Sequence, residues 1–158
     1  MHKPKLILVF IAALLLFQGC TNPDLLDVNV AVADNKWVYA KSIKHPFEIK
    51  DSTKSYQLFF KLRHTTEYRY ANLYVLMRLK GNGLKKTLRY QFKVAQPNGE
   101  WIGKGSGDIY TNVFPLLKDY RFPKNGKYEI EIEQNMRDNP LVGISDIGIL
   151  VREKQAEN

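Results

Sequence analysis

Cysteine is almost absent from this chain. Cys20 is the single one, so no intramolecular disulfide staples the fold and no thiolate cluster can hold a metal. Histidine is scarce too: His2, His45 and His64 lie far apart and away from any nucleophile, which leaves neither a zinc-ligand spacing nor a Ser/His or Cys/His pair. Asp138 and Asp146 lack the spacing of a calcium loop. No segment carries a helical stripe, there is no internal repeat, and the longest apolar run falls well short of the roughly 20 residues that span a bilayer. The residues imply no cofactor and no metal, and they argue against an enzyme.

What is present begins with that apolar run. Lys3 and Lys5 precede Leu6 to Phe17, and Gly19 supplies a small residue before Cys20. This is the layout of a secretory signal over residues 1–19. The end of it resembles a bacterial lipobox, although Phe17 and Gln18 stand where Leu and a small residue are usual. The lipobox implies a thiol at Cys20 joined to lipid, with the signal removed before it, so the partner of the N-terminus is a membrane. From Cys20 to Asn35, Pro23 and scattered aspartates and asparagines among few apolar residues predict a flexible tether over residues 20–35.

Beyond the tether, period-two alternation dominates, the mark of strands with one buried face. Tyr56, Leu58, Phe60 and Leu62 form one inward set, with Phe59 breaking the outward row. Further inward sets are Ala71, Leu73, Val75, Met77 and Leu79, then Leu88, Tyr90, Phe92 and Val94, then Tyr128, Ile130 and Ile132, then Ile147, Ile149 and Val151. A short strand covers Pro46 to Lys50. Turn residues fall at Asp51 and Ser52, at Gly81 to Gly83, at Pro97 to Gly99, and at Asn125 and Gly126. Seven or eight such strands predict an all-β domain over residues 36–158: one antiparallel β-sandwich, jelly-roll or immunoglobulin-like.

Gly99 to Asp108 superficially resembles a phosphate loop. Three residues instead of four separate its first glycine from the Gly103–Lys104 pair, and no helix follows, so the requirement fails. Glycine at 103, 105 and 107 instead suits close backbone approach or positive dihedrals in a long loop, with Trp101 and Asp108 offered as a contact surface. Glu129, Glu131 and Glu133 alternate with apolar residues and are expected to be the wet side of a strand; His64 is expected to be a solvated strand end. The net charge of +8 is spread along strands, and without a nucleic-acid-binding motif on an exported chain it predicts no nucleic-acid partner.

Three stretches carry a more specific resemblance: Tyr68-Arg-Tyr-Ala-Asn-Leu-Tyr74, Gly99 to Tyr110, and Glu133 to Gly148 with its Met136-Arg137-Asp138 core. In order and content they resemble the GldH family of gliding-motility lipoproteins of the Bacteroidota, over nearly all of the mature chain. The resemblance implies an envelope lipoprotein without catalytic residues, associated with other Gld lipoproteins and with type IX secretion components. In the sharpest stretch, Met136, Arg137 and Asp138 are candidate partner-binding residues. The structural alternative has Pro140 and Gly143 shaping a tight connection, Arg137 pairing with Asp138 or Asp146, and Leu141 plugging the end of the sandwich. The expected function is a non-enzymatic structural or assembly component; the alternatives are a lipid-anchored carbohydrate-binding module, for which exposed Trp101 and tyrosines would stack on sugar rings, and a hydrolase, for which no convergent acid and base are found. The expected location is the periplasmic face of the outer membrane.

Overall fold

The computed structural model describes residues 24–155; the signal and Cys20 lie outside them. Eleven strands follow in chain order: β1 (Leu26–Ala31), β2 (Lys36–Trp37), β3 (Ile43–Ile49), β4 (Tyr56–Thr65), β5 (Asn72–Gly81), β6 (Leu84–Lys93), β7 (Lys104–Ser106), β8 (Ile109–Tyr120), β9 (Gly126–Gln134), β10 (Leu141–Val142) and β11 (Ile144–Glu153). One sheet runs β1-β11-β4-β8-β7, the other β3-β9-β5-β6, and β10 pairs with β2 at one end. Every pairing is antiparallel. The domain is an all-β sandwich, as the alternation predicts.

The pleat fixes the faces. Leu58, Phe60 and Leu62 of β4, Leu73, Val75, Met77 and Leu79 of β5, and Ile130 and Ile132 of β9 are all fully buried, because successive side chains of a strand point to opposite sides. Phe60 ties the two sheets together: its ring lies 6.1 Å from Trp37, 6.0 Å from Phe92 and 6.5 Å from Phe114. Phe59, the residue that breaks the outward row, lies under the Arg152 guanidinium on the outer face, 5.0 Å from it. Between β5 and β6 the turn is Asn82–Gly83, both with positive φ (48° and 82°), the two-residue hairpin connection that this dipeptide favours.

Four expectations are corrected. Leu26–Ala31 is not tether but β1, paired along its length with β11; its outward Asp27 makes an ion pair with Lys61, while Leu26 and Val28 pack against the core. The alternation of Leu26, Val28 and Val30 with Asp27 and Asn29 is the strand signal here, masked by the flanking Pro23, Asp24 and Asp34. Ala71 precedes β5 and is exposed. Strand β8 was not recognised although it is the longest, because register shifts near Leu58 against β4 and Pro115 interrupt its period. The glycine-dense segment is no long loop: β7 folds back on β8 through a turn at Gly107 and Asp108. A Cβ at Gly103 would lie 2.8 Å from the Thr111 carbonyl, so glycine here serves close approach.

The sandwich has two distinct ends. The described chain enters at Asp24 beside the loops that follow β3, β5 and β8, where Ser52 N donates to Asn125 Oδ1 (2.6 Å) and Asn82 Nδ2 to the Asn125 carbonyl (3.3 Å). At the opposite end lie the loops that follow β4, β6 and β9.

Candidate functional site

At the end away from Asp24, a cleft of about 370 Å³ opens on the outer face of the second sheet. Its floor is Tyr74 of β5, which faces outward because Leu73 and Val75 face in. Arg89 of β6 lies diagonally across, opposite Leu76, and its guanidinium sits 4.5 Å from the centre of the Tyr74 ring, a cation–π contact. Tyr70 forms one wall and the loop from Asn135 to Asp138 the other.

That second wall is built from the inside. Gln134, 1% exposed, donates through Nε2 to the Asp138 carbonyl (2.9 Å) and accepts from Met136 N (2.8 Å). The buried amide thus holds both ends of the loop. Asn135 N donates to the Tyr74 carbonyl (2.8 Å), and Tyr74 N approaches the Met136 sulfur at 3.2 Å. From the far side the Tyr39 hydroxyl donates to the Met136 carbonyl (2.6 Å). Tyr70 donates its hydroxyl to the Asp138 carboxylate; that bond, followed by desolvation and the carboxylate's charge, holds the Tyr70 phenol above its usual range. Arg137, exposed and without an ion-pair partner among the described residues, projects from the rim. The arrangement brings two guanidiniums, tyrosine hydroxyls, a carboxylate and a thioether together in one cleft.

The structure therefore gathers Met136, Arg137 and Asp138 into one cleft. Asp146, offered as a mate for Arg137, pairs instead with Arg63 at 3.3 Å. Leu141 is a core residue, 1% exposed, as the plug reading has it, and Gly143 (φ 86°) lies so close to the Tyr68 backbone that a Cβ would come within 2.4 Å of its nitrogen. Trp101 and Asp108 are not part of the cleft. Asp108 is exposed at the turn between β7 and β8. Trp101 is half-buried, its ring 4.6 Å from His64, 5.8 Å from Tyr110 and 6.4 Å from Tyr68; Tyr68 in turn packs edge-on against Tyr70 at 5.8 Å, so aromatic rings run from Trp101 to the cleft. Sequence reasoning missed Tyr70, Tyr74 and Arg89 as site residues. The first two stand in the quoted motif from Tyr68 to Tyr74, which was the available signal; Arg89 had none, since it reads as one more outward lysine or arginine.

All three glutamates of the expected wet face are engaged, Glu129 with Lys44 at 3.2 Å. Arg78 grips Glu133 through both terminal nitrogens at 2.8 Å and reaches Glu131 at 3.8 Å; the hydrogen bonds from Arg78 hold Glu133 below the usual carboxylate range.

His64 is another correction: it is fully buried rather than solvated. Its Nδ1 faces the Thr65 carbonyl at 3.1 Å, which makes that nitrogen the donor and leaves Nε2 an acceptor without a partner among the described residues. Asn112 Nδ2, a donor on the facing strand, is likewise buried and unpartnered. Desolvation lowers the His64 pKa, more than the Thr65 contact raises it. The neutral ring is thus favoured when folded, and the unfolded chain binds the proton more readily. This contribution is fully present above about pH 6.5, the usual imidazole value, and is lost as pH falls below it toward the lowered folded value. Thermal midpoints measured between neutral and mildly acid pH should decline, and His64→Phe should flatten that decline; an unchanged slope in the variant would contradict the assignment.

Among the described residues no three metal-capable side chains converge, and no helix is long and apolar enough to cross a membrane. The family model for GldH lipoproteins matches residues 25–151. The chain belongs to the GldH lipoprotein family. It is 31% identical to the gliding motility lipoprotein GldH homolog of Christiangramia forsetii, covering 92% of this chain and 93% of that one. With the gliding motility lipoprotein GldH of Flavobacterium johnsoniae it shares 28% identity over 93% of this chain and 95% of the other. Among solved structures, a fructofuranosidase from Schwanniomyces occidentalis aligns over 84% of this chain and 35% of its own, with 10% identity and a TM-score of 0.40, a likeness too slight to carry an argument. The GldH match runs from the start of β1 to Val151 in β11, and so includes the cleft. As a GldH-family protein, the chain is a gliding-motility lipoprotein, held in the envelope by lipid.

Proposed function

We propose that this lipoprotein is a non-enzymatic assembly component of the gliding machinery, associated with type IX secretion, which grips another envelope protein in the cleft between Tyr74, Arg89 and Arg137. Acylated Cys20 anchors it in the outer membrane with the domain in the periplasm. The observation that carries this reading is the cleft itself: a loop fixed by a buried glutamine presents Arg137 beside the stacked Tyr74–Arg89 pair, at the end farthest from the anchor. Tyrosine and arginine are the side chains most enriched where interfaces hold their energy. The carbohydrate-binding alternative is less well supported, because the aromatic faces it needs are occupied internally. Tyr74 is capped by Arg89, and Trp101 packs on His64, Tyr68 and Tyr110.

The test is Arg89→Ala with Arg137→Ala, expressed from the native locus. Losing both anchors is expected to weaken co-purification of gliding proteins by tenfold or more, on the order of 2 kcal/mol, and to reduce colony spreading, while the lipoprotein stays folded and abundant. Normal spreading with normal partner recovery overturns the proposal. Retention of the parent on polysaccharide, with no co-purified gliding protein, favours the carbohydrate module.

A further inference from the structure

We infer that the end of the sandwich from which the anchor leaves is a docking face for anionic phospholipid headgroups, so that the domain stands end-on against its own bilayer. Its orientation rests on the acylation of Cys20 proposed above. Leu25 N donates to the Val151 carbonyl at 2.8 Å, fixing the chain at the start of β1, and Asp24 and Leu25 line a cleft there whose other charged walls are Glu48, Asp51 and Glu153 as well as Lys50 and Lys54. Four residues carry the chain from Cys20 to Asp24, a reach of at most about 14 Å when fully extended. Whatever lies at this end is held close to the lipid surface.

Around that mixed cleft, the rest of this end carries a surplus of positive charge. Lys50, Lys85, Lys118, Lys124 and Lys127 are exposed and form no ion pair among the described residues, and Arg121 reaches Ser55 Oγ at 3.5 Å and feels the charge of Asp119. They come from four connected places: the end of β3, the β5–β6 hairpin, the end of β8 and the start of β9. The register brings these together, with Tyr56 opposite Tyr120, Ile49 opposite Gly126, and Gly81 opposite Leu84. Acidic groups at the same end are fewer. Glu153 pairs with Lys54 at 2.8 Å and Asp119 with Lys154 at 2.7 Å, leaving Asp24, Glu48 and Asp51, whose Thr53 hydrogen bonds leave its charge in place. At the other end Lys36, Lys41, Arg69, Lys93, Lys104 and Arg137 stand among Asp34, Glu67, Glu100, Asp108 and Asp138, a nearly even balance. The surplus is therefore polarised along the sandwich axis and points at the membrane.

A like-charged cluster in open water repels itself. Against an anionic leaflet the same lysines are attracted over a range of about 8–10 Å at physiological salt, a separation that the short link from Cys20 allows. The contact would hold the Arg137 cleft away from the surface and toward a partner.

The test uses the mature chain, residues 20–158, with Cys20→Ser, so that binding owes nothing to acylation; failure of the anchor shows separately in the mass of the native protein. Sedimentation with vesicles containing phosphatidylglycerol should exceed that with phosphatidylcholine alone and should fall as salt is raised. Replacing Lys85, Lys124 and Lys127 by Glu should weaken binding about tenfold or more, and a glutamine triple at the same sites should lose most of it without added repulsion. Arg69→Glu with Lys93→Glu and Lys104→Glu, at the far end, should bind like the parent. No preference for the anionic vesicles, or equal loss from the two ends, overturns the inference.

Discussion

Ile130→Asp should abolish a stable fold. Ile130 is fully buried on β9, between Tyr128 and Ile132 on the same face and opposite Leu79 of β5. The substitution removes about 1.5–3 kcal/mol of apolar burial and forces a carboxylate into a site without a partner, costing several kcal/mol more. Domains of this size are stable by about 5–15 kcal/mol, so the change consumes most or all of it. At the usual urea sensitivity of about 1–3 kcal/mol per molar, the midpoint should drop by two molar or more, or the folded baseline should vanish. The control is Glu129→Gln, one residue away on the opposite face, whose partner Lys44 lies 3.2 Å off with both side chains over a third exposed; its midpoint should hardly move. Glu131, the obvious first choice, is a poor control because Ser42 and Arg78 both reach it. Equal midpoints for the two variants would mean that the faces of β9 are reversed.

Cys20→Ser should move the protein out of the membrane fraction altogether while leaving the domain folded. Each buried methylene contributes about 0.8 kcal/mol, and two or more acyl chains hold stably where one is marginal. No helix among the described residues substitutes for that lipid. The basic end retains at most a salt-sensitive surface attraction, so washing with salt should release the variant completely. Metabolic labelling with a palmitate analogue reads the acylation directly; equal labelling of parent and variant would refute Cys20 as the site. Near-identical denaturation of the two mature chains is the companion expectation, since the described sandwich begins only at Leu26.

The envelope role and the family were legible because they rest on local signals: a run of apolar residues ending in Cys20, and the motif stretches around Tyr68, Gly99 and Met136. So were most strand faces. A residue's side of a sheet depends on its parity alone, so Leu73 to Leu79 and Tyr128 to Ile132 announce their burial without reference to any partner. Where parity is broken by a bulge and a proline, as in β8, the signal fails.

The tertiary structure decided what depends on residues far apart in the chain. Sheet order is not chain order: β9 lies between β3 and β5, and β11 between β1 and β4. That order draws Leu26–Ala31 out of the expected tether by backbone hydrogen bonds, buries His64 under Trp101 and Tyr110, and sets Met136 to Asp138 beside Tyr74 and Arg89. It also collects lysines from four separate segments at the end where the chain enters. The sequence by itself determined the inward faces of the regular strands and the family; only the packing of distant strands determined which outward residues became neighbours and buried His64, because that depends on pairing and register rather than on any local pattern.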